Sequence, residues 1–507
     1  MRVAVVGAGA AATGVLRGLV EWGGDCETWL FGLGSQLPAP PDKLVADGFD
    51  SNSFRQIYSQ LRTKKRFAFP PPKSHFGKIL PKHEVAGKRS LWRSSNYGGL
   101  MTIWGGGMFP FTDRELASWP VHARDLDPYY KLIAERVGVC GEADALNDYF
   151  ERDYVNRPPL RTSPVVRSLL DSINATKGGD HFDFVAGASR LALETRSGLE
   201  NSCDYLGECM LGCPRKAIWS ADRELDRYKR EGSVSQHVTG RVLRFKETAA
   251  GSFLEVEAKD GDSVTEHGPF DRIFVAAGCI GSTEIVMRSL GIEHGPQMLD
   301  NAVVSFPVLY TGHAPTSSDR SDRYFSLCNA SIGAVPKDRA QPFAQISIYP
   351  AFDHLWRYYT PSPLWSLAAP LWRFARWRFL LGRVFFAGSL NRTYSFALSG
   401  SGLEIAPNET PPLGETGSTF MREFRAATNH GGFYVPPVPP GGHATSSHYA
   451  GTFPYGCDVL PSRSGRIAPR VYLADASTWP TAPSISPTFT IMANACRTAH
   501  EALEDSN

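Results

Sequence analysis

Charge of one sign is what this chain lacks most plainly: 53 basic residues stand against 51 acidic ones in 507, a net +2 at neutral pH. No global field favours nucleic acid as a partner, so any basic surface has to be local. The N-terminus, Met1 to Gly7, lacks the charged region, long apolar core and cleavage site of a secretory leader, which leads us to expect a cytoplasmic protein. Nine cysteines, an odd number after such a start, exclude a disulfide framework and point to reduced thiols. Acidic residues are missing between Asp353 and Glu404, and there is no internal repeat. The one biased segment is the proline-glycine run 435–442, a lid or linker. What is present, 42% hydrophobic and 21% charged residues, is a globular composition. The length suits roughly three domains, or two that interleave.

The first thirty residues carry a strand, a glycine turn and a helix. Val3 to Val6 is a short buried-strand run, followed by Gly7, Gly9 and Ala12 and then the apolar-periodic 15–20. Gly7 permits the turn, Gly9 lets backbone approach a pyrophosphate, and the small Ala12 allows helix to pack on strand. A dinucleotide cofactor is expected, its phosphate on the helix N-terminus. The second strand, 26–31, ends in Phe31 and Gly32 where an acidic residue for ribose would be looked for. A second strand, turn and helix runs from Phe270 through Gly278 to Arg288. Strands of a small β element are expected at 238–243 and 253–258.

Further motifs follow: Gly98, Gly99, Gly105 and Gly106 in 97–109, where bare backbone can approach a flat ligand; Ser447 to Thr452 around His448; and a strand 471–474 ending at Asp475. Ser486, Pro487 and Thr488 then open an apolar-periodic helix to Ala502. In this order the motifs resemble the glucose-methanol-choline (GMC) oxidoreductases, flavoenzymes that oxidise alcohols; the segment between about 300 and 435 aligns with nothing in that pattern. The resemblance implies an α/β fold, with a Rossmann-like FAD-binding domain from 1–150, 195–300 and 440–507 and an interleaved mixed-sheet substrate domain from 301–439. Its sheet would use 303–309 and 343–349. The resemblance further implies that Val242 contacts adenine, that Asp475 lies near the phosphate and ribityl region, and that the C-terminal helix faces its positive end to the flavin. His448 takes the place of the catalytic histidine, a base for the hydroxyl proton. Ser486 stands where the family usually has a second histidine or asparagine. His443, after the proline-glycine run, reads as a loop histidine.

Cys203, Cys209 and Cys213 are spaced C-x5-C-x3-C and end in Cys-Pro. A structural zinc site needs four ligands, whereas a 3Fe-4S cluster needs three thiolates, and iron-sulfur loops commonly close with Cys-x3-Cys-Pro. The loop 203–214 resembles that of bacterial FAD-dependent glucose and fructose dehydrogenases, which implies a dehydrogenase passing electrons to a quinone or cytochrome. The alternative is a small cysteine-containing turn before Ala217 and Ser220, in a cluster-free oxidase; a flavin-carrying electron-transfer or assembly protein is a further one. An alcohol, with a sugar or lipid-linked sugar first, is the expected substrate.

The segment 355–386 holds four of the eleven tryptophans, and arginines at 357, 373, 376, 378 and 383. They break every apolar run before the ~20 residues of a membrane span. Aromatics and arginines without acids suit a helix or helical hairpin in a membrane interface, so peripheral attachment to the inner face of the cell membrane is expected, with a partner contact or internal core as alternatives.

Overall fold

A computed structural model of the chain describes residues 1–34, 82–85, 89–176, 178–205, 207, 209, 213, 215–313, 324–351, 371, 375–388, 393–400, 402–408, 413–437 and 444–504. Five sheets organise these residues. The first has six strands in the order Arg466–Ala468, Val471–Leu473, Arg272–Val275, Arg2–Val6, Glu27–Gly32, Gln236–Thr239. Its pairings are parallel except at the outermost hairpin. Val3, Ala4 and Val5 are fully buried, the continuous apolar run of a strand covered on both faces. The expected strand 238–243 is in fact two: Val238 ends the edge strand Gln236–Thr239, and Val242 belongs to Arg241–Thr248, which opens a separate antiparallel three-stranded sheet. Gly240 breaks the run between them, since a Cβ there would meet Val256.

Helix α1 (Ala10–Trp22) follows the first strand, α2 (Gly278–Leu290) follows Arg272–Val275, and α3 (Thr488–Glu504) closes the described chain. α1 and α3 pack at backbone distance. A Cβ on Gly14 would lie 2.3 Å from the Met492 carbonyl oxygen, and one on Gly18 would lie 2.4 Å from that of Cys496. Gly18→Ala gains about 1 kcal/mol in helix propensity, but overpacking of this kind costs about 1–3 kcal/mol. A lower urea midpoint is therefore expected; a higher one would contradict the close approach of the two helices.

The large sheet has seven strands, with Phe433–Tyr434, Ala302–Tyr310, Phe379–Phe386, Ala344–Pro350, Ala330–Pro336 and Phe182–Ala188 in order and Ala444–Thr445 beside Ala302–Tyr310. Every described pairing is antiparallel, a narrower arrangement than the mixed sheet expected. Phe182–Ala188 comes from a stretch assigned to neither domain from sequence. One face carries a core built with the helices Pro164–Ala175 and Gly414–Asn429, through Leu169, Phe420 and Phe424. The other face looks into a cavity, as antiparallel sheets allow. Thr393–Ser399 pairs instead with His294–Leu299, and Gly402–Pro407 with Thr393–Ser399, in a separate three-stranded sheet whose Tyr394, Phe396 and Ile405 bury in the same core as Met298 and Val6.

The expectation of a membrane-interface helix is corrected at the end of its segment, where Phe379–Phe386 is an internal strand. Leu380, Val384 and Phe386 face the sheet's core, while Leu381, Arg383 and Phe385 face the cavity. Arg378 is used internally too, donating to the carbonyls of Tyr310 and Gly312 at 3.2 and 2.7 Å. Residues 352–370 and 372–374, and with them most of the interfacial segment, lie outside the described residues, as does His443. Among the described residues no helix is long and apolar enough to cross a membrane.

Candidate active site

The carboxyl ends of the parallel strands open onto a cavity of about 590 Å³, which continues to the free face of the antiparallel sheet. Gly7, Phe31, Gly32, Gly240, Ala276 and Asp475, which follow or end those strands, all line it, the place where open α/β sheets bind ligands. The first turns of α1, α2 and α3 reach the same space through Gly9, Gly278 and Thr488. Neither Gly9 nor Ala277 caps its helix with a side chain, and none of the three first turns holds an acid. Three positive helix ends thus face one volume, a setting for phosphate.

The glycines show why backbone is left bare there. Gly7 adopts φ +124°, and a Cβ on it would lie 2.2 Å from the Ala276 carbonyl oxygen, so two strands meet over it. Gly9, Gly105 and Gly278, by contrast, have no atom within 4 Å of where a Cβ would sit. They leave open cavity that a flat, phosphorylated ligand can fill, and this cradle fits FAD. Val242, Gly99, Pro487 and Thr488 line the cavity as well. Ala12, Gly98 and Gly106 do not: Ala12 is buried against Val3 and Val5, Gly98 turns the chain into the short helix Gly99–Thr102, and Gly106 turns beside Ile218. No acid ends the strand Glu27–Gly32. The lining carboxylate of Glu284 is bound by Arg93, Arg241 and Arg288. Asp475 accepts the hydroxyls of Ser282 and Ser477, both at 2.5 Å, and burial raises its carboxyl above the ordinary range.

His448 and Ser486 line the same cavity. The Asn301 amide nitrogen donates to the carbonyls of Phe386, Ala482 and Pro483, so its oxygen is the acceptor that faces His448 Nδ1 at 3.2 Å. Nδ1 therefore carries the hydrogen, and Nε2 keeps a lone pair. The ring stacks on Phe385 at 5.1 Å and 16°. Its backbone is set by the Ser446 hydroxyl, 2.9 Å from His448 N, and by Ser447 at φ +69°, a strained conformation for a non-glycine residue. Removal from water, with the Arg383 guanidinium second, pushes His448 down to about 3. The ring is neutral at any ordinary pH. Ser486 is fixed from the antiparallel sheet: its backbone N donates to Gln345 Oε1 at 2.9 Å, and its hydroxyl packs against Gly107.

The three loop cysteines do not meet the expectation of an iron-sulfur site. Cys203, Cys209 and Cys213 pack against an apolar cluster that includes Leu191, Leu193, Phe325 and Leu327. Among the described residues, no group of three or more His, Cys, Asp or Glu is placed to hold a metal ion. A 3Fe-4S cluster thus finds no support among the described residues.

Asn301, Gln345 and Arg383 were not found from sequence. Asn301 follows Asp300 as an ordinary turn dipeptide would, and Gln345 and Arg383 are polar residues inside strands, recognisable only once the alternation of inward and cavity-facing positions is known.

What fold and site define is an α/β protein in which a glycine cradle and the free face of an antiparallel sheet enclose a neutral histidine. No family model matches the chain. A 214-residue stretch is 26% identical to paromamine 6'-oxidase of Streptomyces fradiae, covering 39% of this chain and 38% of that enzyme. A 90-residue stretch is 34% identical to 6'''-hydroxyparomomycin C oxidase of Streptomyces lividus, covering 15% and 16%. The chain thus matches less than half the length of these curated relatives. In structure it superposes on pyridoxine 4-oxidase from Mesorbium loti with a TM-score of 0.63 over 99% of this chain and 98% of that one, at 16% identity; the two share a fold.

Proposed function

We propose that the chain is a flavin-dependent oxidase of the GMC family that converts a CH–OH group to a carbonyl, with oxygen as electron acceptor. The observation that carries the proposal is the neutral His448, its Nδ1–H fixed by Asn301 and its Nε2 free, in the same cavity as the glycine cradle. FAD, held along Gly7, Gly9, Gly99, Gly105, Val242, Gly278, Asp475, Pro487 and Thr488, would supply the hydride acceptor. His448 Nε2 takes the hydroxyl proton as the carbon–oxygen double bond forms. Asn301 and Phe385 keep the ring from turning, so no reorganisation accompanies the transfer. Ser486 offers a hydroxyl to the substrate oxygen, from a backbone anchored on Gln345.

Oxygen is preferred over a 3Fe-4S relay to a quinone or cytochrome for two reasons: the loop thiols face an apolar cluster, and both matched curated relatives are named oxidases. In this proposal the FAD-binding part draws on 1–150, 195–300 and 440–507. The substrate part is 301–439 with Phe182–Ala188 added. The test is anaerobic mixing of purified, flavin-loaded protein with a panel of alcohols, followed by air. Flavin bleaching, then peroxide, with no iron in the preparation, is expected. Three irons per chain and no peroxide would restore the dehydrogenase; an unbleached flavin across the panel would sink alcohol oxidation.

The low pKa has a measurable sign. A histidine that titrates near 6.5 when unfolded and near 3 when folded stays in its base form on acidification. For an uncharged alcohol, kcat/KM should therefore be flat from pH 8 to about 5, and an acid limb at 6–7 would contradict the neutral ring. The unfolded chain binds the proton first, so this group's contribution makes stability fall as pH drops below about 6.5.

A further inference from the structure

One charged group in the cavity has no acidic partner among the described residues. Arg93 and Arg241 both pair with Glu284, and Asp475 is held by serine hydroxyls. Arg383 forms no ion pair among the described residues, although it stands on the cavity face of the central strand Phe379–Phe386, opposite Ser347 in register. Its guanidinium lies 5.3 Å over the ring of Phe385, the same ring that stacks on His448, and it reaches Tyr349. Its Nε is buried without a hydrogen-bond partner among the described residues. A guanidinium presents five donors in a fixed planar fork. A half-buried one with an unpaired inner donor is costly, and the groups that satisfy it best are planar anions.

The surroundings narrow the anion. The lining residues near it on the sheet, Ser331, Ser347, Tyr349 and Leu381, are uncharged, and the two described lining carboxylates, Glu284 and Asp475, lie on α2 and at the end of the parallel strand Val471–Leu473. One guanidinium with neighbouring hydroxyls matches a singly charged, two-oxygen group better than a phosphate dianion, which calls for more than one cation.

We propose that Arg383 determines substrate specificity, selecting alcohols that carry a carboxylate and rejecting those that carry an ammonium group; this rests on the alcohol-oxidising function proposed above. The carboxylate docks on the guanidinium and the hydroxyl end lies toward His448. Docking also neutralises the cation that faces the histidine ring, which otherwise opposes arrival of the proton.

Benzoate, benzamide and benzylamine share a shape, differ in charge and cannot be oxidised as alcohols. They can be titrated into the flavin-loaded full chain, with the fluorescence of the cavity tryptophans Trp92 and Trp104 and the flavin spectrum as readouts. Benzoate should bind at least about tenfold tighter than benzamide, and benzylamine no tighter than benzamide. R383Q should compress the benzoate-to-benzamide ratio to within about twofold, and R383K should keep part of it. Equal affinities in the wild type, failure of benzoate to bind, or an anion preference that survives R383Q would overturn the proposal. The wild-type ratio stands as a test even if R383Q does not fold. Because these ligands report binding without turnover, a cavity that selects charge but oxidises no alcohol would refute the oxidase and leave the selectivity standing.

Discussion

His448→Ala should leave the flavin bound and slow its reduction by alcohol roughly 10³-fold, the usual contribution of a positioned general base. The histidine touches the sheet through Phe385 and Asn301, and no hydrogen bond runs from it to the glycine cradle among the described residues. Loss of the ring therefore empties a space beside the substrate without disturbing the helix ends where phosphate would sit. His448→Gln makes the comparison sharper, since an amide can keep a bond to Asn301 while offering a far weaker base. Stopped-flow bleaching separates the outcomes. Turnover within tenfold of wild type would remove His448 from the chemistry, and loss of flavin from both variants would make it a structural residue.

A second large effect is expected at the cradle, where two glycines two residues apart respond differently. Gly9 has φ −110°, open to any residue, and nothing stands within 4 Å of its Cβ position. Gly9→Val should fold, with a melting temperature in the flavin-free form close to wild type, yet bind FAD at least about 100-fold more weakly, because the side chain occupies the volume kept clear. Gly7→Ala is different in kind. Its φ of +124° and a carbonyl oxygen 2.2 Å from the new Cβ oppose the folded backbone itself. It should yield insoluble or unfolded protein whether or not flavin is supplied. Flavin titration of purified Gly9→Val and the soluble yield of Gly7→Ala with and without flavin are the measurements; tight flavin binding by Gly9→Val would mean that the cradle holds something else.

The part of the molecule that carries the glycine cradle was legible in sequence because its elements are local. A strand, a glycine turn and a helix within some twenty residues declare themselves by pattern, and Gly7, Gly9, Gly278 and Asp475 all reach the cavity. The substrate half was less so. Its sheet is assembled from strands far apart in the chain, Phe182–Ala188 pairing with Ala330–Pro336 and Ala302–Tyr310 with Ala444–Thr445, and the strand Phe379–Phe386 was hidden by its neighbours. Arginines and tryptophans around it suggested an interface, although the alternation of Leu380, Val384 and Phe386 with Leu381, Arg383 and Phe385 is the signature of a half-buried strand. The cysteine loop is a separate case, since the described residues give no support to the cluster that its spacing suggested. Spacing specifies how many thiols a loop can offer, whereas what packs around them includes Leu191, Phe325 and Leu327, which no local pattern connects to them.

The antiparallel sheet keeps its stability and its chemistry on opposite faces. Leu380, Val384, Ile346 and Ile348 belong to the core against the two helices, and Arg383, Leu381, Ser347 and Tyr349, interleaved with them, belong to the cavity. Every second position can therefore be rewritten without opening a hole in the core, and the glycine cradle lies on a different sheet. For the oxidase proposed above, the substrate could be exchanged by point changes on one surface while the glycine cradle is left intact, and a library confined to those alternate positions is the economical way to redirect it.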